Sequence, residues 1–82
     1  MSLSRADVVR NIQTSIAQHL DVTVDQVAMD KPLSEIGADS LDLIELVIEF
    51  EEDYNIFLKD EICSEIKTGL DLVAAICTEL KL

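Results

Sequence analysis

Two glycines and one proline are all that this chain of 82 residues contains. Tight hairpin turns draw heavily on glycine, asparagine and proline, so an all-β fold of this length would need more of them. A helix, by contrast, runs best without them. The chain is therefore expected to be all-α, and its few breakers should mark where helices stop. Pro32 and Gly37 stand close together. They place the longest interruption in the thirties.

A chain this short is one domain, spanning residues 1–82, and it buries only about 60% of its unfolded surface. Hydrophobic residues make up 49% of it. Its aromatics are Phe50, Tyr54 and Phe57, so aliphatic side chains must fill the interior. The net charge is −11. That charge argues against nucleic acid and against a bare anionic membrane, and favours proteins with basic docking patches. No apolar run is long enough to span a membrane. The N-terminus is polar and carries Asp7, unlike a signal peptide. Cys63 and Cys77 do not form a CxxC pair and are too few for a disulfide scaffold. They are expected to be reduced core fillers in a cytoplasmic, monomeric protein.

Apolar spacing divides the chain into three main helices and a short one, with a long loop after the first. Helix one is expected over about 5–20, capped by Ser4 with Asp7 three residues on. Val8, Val9, Ile12, Ile16 and Leu20 form its stripe. Residues 21–39 break any long period. Val24, Val27, Leu33 and Ile36 should pin this loop to the core, with a single helical turn at 24–27. The second main helix spans about 41–54, a short helix about 60–66, and the last about 69–80 behind Thr68 as cap. The last carries Leu72, Val73, Ile76 and Leu80 on one stripe.

The second main helix has two apolar groups where one would suffice. At about 100° per residue, Leu43, Leu46, Val47, Phe50 and Tyr54 fall together as a core stripe. Leu41, Ile44 and Ile48 fall on another face. Glu45, Glu51 and Glu52 surround them, with Asp42, Glu49 and Asp53 continuing the acidic side. A solvated face would account for the acids, but not for an apolar stripe among them. The combination points to a docking surface.

Just ahead of that stripe lies Gly37-Ala38-Asp39-Ser40-Leu41-Asp42. Gly37 can take backbone conformations closed to other residues. Asp39 can cap the helix, with Asp42 three residues later. Ser40 then begins the helix with its hydroxyl free, and a phosphodiester there would meet the positive end of the helix dipole. Geometry alone favours the plainer reading of Ser40 as a second cap residue, because Asp-Ser before a helix is common.

This segment resembles the phosphopantetheine attachment motif of the discrete, type II acyl carrier proteins. Pro32-Leu33-Ser34-Glu35-Ile36-Gly37 resembles the family's approach to the motif. Glu45-Leu46-Val47 and Phe50-Glu51-Glu52 resemble its second helix, and Thr68, Asp71, Leu72, Val73 and Ile76 its last. The resemblance implies a carrier, not an enzyme. A phosphopantetheinyl transferase (holo-carrier synthase) would move 4′-phosphopantetheine from coenzyme A to Ser40. The arm's thiol would hold acyl intermediates as thioesters for fatty acid or polyketide enzymes. It also implies a partner surface of Asp39, Leu41, Asp42, Ile44, Glu45, Ile48, Glu51 and Glu52, the same face that helical spacing singles out. In such proteins acyl chains slip between the helices, which an aromatic-poor core suits. An aminoacyl or peptidyl carrier, or an acidic helical adaptor without prosthetic group, are the alternatives. Lys59 stands where many relatives have proline. Leu43 and Glu49 are bulkier than usual, Ile56-Phe57 is more apolar, and Cys63 and Cys77 also depart from the common pattern.

Other chemistries find little support. His19, the only histidine, lies at the edge of the first stripe without a ligand cluster or triad partner in view, and reads as a boundary residue. Asp21, Thr23 and Asp25 open in the rhythm of a calcium loop. Gln26 then replaces its glycine and Pro32 its last glutamate. A serine hydrolase would need a G-x-S-x-G elbow, which is absent.

Overall fold

The computed structural model describes residues 3–82. Helix α1 covers Arg5–Leu20, α2 Ser40–Tyr54, α3 Asp60–Glu65 and α4 Gly69–Leu80. No strand occurs among the described residues. The fold is a small helical bundle, as the shortage of breakers implies.

Three of the four helices begin on the same local device. Ser4, Asp39 and Thr68 each accept a hydrogen bond from the backbone N–H three residues on, and Asp7, Asp42 and Asp71 reach back to the cap N–H. Each box satisfies two N–H groups that the helix leaves without partners. The short α3 lacks a side-chain cap and ends at Glu65, one residue before the expected limit. Ile66 follows outside the helix and is buried. Residues in left-handed conformation, Asp21 after α1 and Asn55 after α2, close the longer helices.

The core joins all four helices. Val8, Ile12 and Ile16 of α1 meet Leu72, Val73 and Ile76 of α4, and all six are fully buried. This is the most extensive helix pairing in the molecule. Leu46, Val47 and Phe50 bring in α2, while Leu58 and Ile66 plug the two ends of α3. Val9, Leu20, Leu43, Tyr54 and Leu80 pack on the core half-buried.

The long loop is held both by buried side chains and by hydrogen bonds to its backbone. It forms two 3₁₀ turns, Val24–Gln26 and Leu33–Ile36. Val27 and Leu33 are buried and Ile36 half-buried, but Val24 is 43% exposed and pins nothing. Its carbonyl does the anchoring instead: Gln13 of α1 donates to Val24 O at 3.2 Å and Val27 O at 3.3 Å. Further on, Leu33 N–H donates to Lys67 O at 2.8 Å, and Leu70 N–H to Met29 O at 3.0 Å. Met29 lies over Gly69, where a Cβ would come within 2.6 Å of its sulfur. A larger residue there would require the flexible end of the Met29 side chain to move.

Candidate functional site

The loop delivers the chain to α2 through a sharp turn. Gly37 has φ +101°, a left-handed conformation that favours glycine, and its N–H closes the 3₁₀ turn on Leu33 and Ser34. Ala38 is buried and its N–H donates to Leu33 O at 3.1 Å. The backbone is thus tied down on the side leading to Asp39.

Asp39 Oδ1 accepts from Asp42 N–H at 2.9 Å, and Asp42 Oδ2 accepts from Asp39 N–H at 3.0 Å. Asp39 is the cap, so Ser40 is the first residue of the helix, exposed, with its hydroxyl not needed for capping. The Asp39 N–H holds the Asp42 carboxyl below its ordinary range, and His19 acts in the same direction. Asp42 therefore stays charged at neutral pH.

Between α2 and α3 lies a cavity of about 350 Å³ that begins at Ser40. Leu43, Ile44, Val47 and Ile48 form its α2 wall; Phe57, Leu58 and Cys63 form the other. A second cavity, of about 290 Å³, is lined by Ser40 together with Leu33, Ala38 and Ile66. Ser40 and the bulky Leu43 line both.

The docking residues expected from spacing fall mainly on one exposed face. Leu41, Ile44 and Ile48 are 61%, 55% and 49% exposed. Asp39, Glu45 and Glu52 are exposed beside them. Asp42 and Glu51 are only half exposed, because each also has internal work. Glu51 Oε2 accepts from Leu58 N–H at 2.8 Å and so fixes the link between α2 and α3.

Three residues take places that spacing did not assign. His19 is not a mere boundary residue: its Nε2 lies 3.0 Å from Asp42 Oδ1 and 3.4 Å from Glu45 Oε2. Phe57, 69% exposed, stands at the cavity edge, where its apolar neighbours were the signal. Cys77 is a buried filler as expected, whereas Cys63 lines the cavity. Burial pushes the Cys63 thiol up, and Glu51 and Asp60 push it further, so it stays protonated.

The profile of a family described as the phosphopantetheine attachment site matches residues 10–76. The chain is 38% identical over 72 residues to the acyl carrier protein of Zymomonas mobilis, a match covering 87% of this chain and 92% of that one. The chain belongs to the acyl carrier protein family. An acyl carrier protein from Enterococcus faecalis has the same fold, with a TM-score of 0.78 and 27% identity over 94% of this chain and 99% of that one. Acyl carrier proteins are carriers rather than enzymes, and the prosthetic group of the family is 4′-phosphopantetheine.

The junction suits such a group. An exposed hydroxyl at a helix start gives a phosphodiester unpaired first-turn N–H groups to approach. Asp39 and Asp42 at the same end oppose a free phosphate, so attachment must rely on the covalent bond rather than on the helix field. No helix among the described residues is long and apolar enough to cross a membrane.

Proposed function

We propose that Ser40 carries the 4′-phosphopantetheine arm and that this single carrier domain presents acyl thioesters to enzymes of fatty acid or polyketide biosynthesis. The observation that supports this most directly is the placement of Ser40. It is exposed, freed from capping by Asp39, and sits at the mouth of an apolar cavity. In loading, the Ser40 oxygen attacks the phosphorus that bears the pantetheine and forms a phosphodiester; the pyrophosphate bond of coenzyme A breaks, adenosine 3′,5′-bisphosphate leaves, and the hydroxyl proton is released. When attached, the arm supplies a terminal thiol that holds the acyl group.

Partners are a phosphopantetheinyl transferase and acyl-chain enzymes with basic docking patches. They meet Leu41, Ile44 and Ile48 within the field of Asp39, Asp42, Glu45, Glu51 and Glu52. Acids at such a rim speed encounter and make it salt-sensitive, while the buried apolar contacts hold the complex. The charge of −11 also keeps copies apart, consistent with a monomer working in the cytoplasm. Intact-mass measurement after incubation with coenzyme A and a transferase tests the reading. The protein is expected to gain one arm, and Ser40→Ala none. An unmodified wild type, or a modified Ser40→Ala, refutes it.

A further inference from the structure

His19 and Asp42 are far apart in the sequence, yet their side chains form a hydrogen bond between the end of α1 and the start of α2. A carboxylate only accepts, so His19 Nε2 carries the hydrogen and donates to Asp42 Oδ1 at 3.0 Å. The other oxygen, Oδ2, accepts from Asp39 N–H at 3.0 Å. One carboxylate therefore joins α1 to the backbone immediately before Ser40. Glu45 Oε2 lies within 3.4 Å of the same nitrogen and keeps the ring between two acids.

The helix anchoring this link, α1, takes part in the most extensive helix pairing of the molecule, with α4. The Asp39–Asp42 box, by contrast, is local to α2: it shapes the first turn but fixes that turn to nothing else. Without His19, the Asp42 carboxylate could keep its bond to Asp39 and turn with it. With His19, the turn carrying Ser40 is referred to α1. Displacing a reacting group by about 1 Å costs up to about 100-fold in rate, so such anchoring bears directly on loading.

We propose that His19 is a positioning residue for the modification of Ser40, acting through Asp42. The inference rests on Ser40 being the attachment site. It extends that reading to a residue that touches neither the arm nor Ser40.

The test compares full-length His19→Leu, which fills the space without a donor, with His19→Gln, which restores an amide N–H at similar reach. Arm transfer from coenzyme A by a phosphopantetheinyl transferase is followed by intact mass. His19→Leu is expected to lower kcat about three- to tenfold, with KM within about twofold because the apolar docking face is untouched. His19→Gln is expected to recover most of the loss. In an Asp42→Ala background, His19→Leu should add nothing, since both changes remove one link. Amide hydrogen exchange gives a readout independent of the transferase: Asp39 and Asp42 N–H groups should exchange faster in His19→Leu, with those of the α4 core unchanged. Normal kcat in His19→Leu, failure of glutamine to rescue, or additive losses with Asp42→Ala would each overturn the proposal. A wild type that takes up no arm would overturn the assignment of Ser40 along with it, whereas a loaded wild type beside an unaffected His19→Leu would overturn the role of His19 alone.

Discussion

Helices α2 and α4 begin alike and end in different uses. Each opens on a box closed by an aspartate, Asp42 in one and Asp71 in the other. The apolar residues of α4 are largely spent on the core: Leu72, Val73, Ile76 and Cys77 are all buried. Helix α2 buries Leu46, Val47 and Phe50, yet leaves Leu41, Ile44 and Ile48 about half or more exposed. Stability explains the first set. It does not explain the second, which leaves apolar area in water that a polar residue would avoid. Two helices that begin alike thus differ in where their apolar residues lie, in the core on one and partly in solvent on the other.

The same cut made on each helix should give opposite results. Ile76→Ala removes a fully buried side chain facing α1. It should cost about 2–5 kcal/mol, enough to unfold much of a domain this small, as measured by urea denaturation. Ile48→Ala removes a side chain already 49% exposed and should change stability by less than about 1 kcal/mol. Comparable losses in both would erase the distinction between the helices.

The next effect is smaller and reverses the order. Ile48→Ala should weaken binding to an acyl-chain enzyme by about 1–2 kcal/mol at equal foldedness, as interface anchors do. Glu45→Lys should slow association and flatten its salt dependence, read by titration at low and moderate ionic strength. Full affinity in both variants at low salt would leave the outer face of α2 without a role.

Much of this contrast is legible in the sequence because helices are local. A period of 3.6 residues separates the two faces of α2, and an acceptor followed by an aspartate three residues on marks where α1 and α2 begin. Ser40 is legible for a different reason: its setting resembles a motif, where its local chemistry is that of any helix-start serine. What local rules miss are the bonds closed across the fold. Val24 is apolar, yet it faces water, and its backbone carbonyl rather than its side chain meets Gln13. Glu51 lies in the acidic rim, yet its carboxylate is turned to Leu58 N–H. His19 has partners only after α1 and α2 are brought together, so no spacing rule on one helix could find them.

The smallest effect sharpens the likeness of the two helix starts. Asp71 is held below its ordinary range by the N–H groups of Lys67 and then Thr68, and Asp42 by that of Asp39 and then by His19. In the unfolded chain both return to about 3.9. A depressed folded value means that the unfolded state binds the proton more readily. Each carboxylate therefore contributes stability that is fully present above about pH 5 and fades as pH falls through the folded value. Both groups are close to solvent, so the contribution of each is small. Carboxyl-carbon NMR titration should find both midpoints below 3.9. Removing the second donor separates the two cases: His19→Leu should raise the midpoint of Asp42 and leave that of Asp71 where it was. A shift of both together would mean that the change acts through the fold as a whole, and that the start of α2 is no more closely tied to α1 than the start of α4.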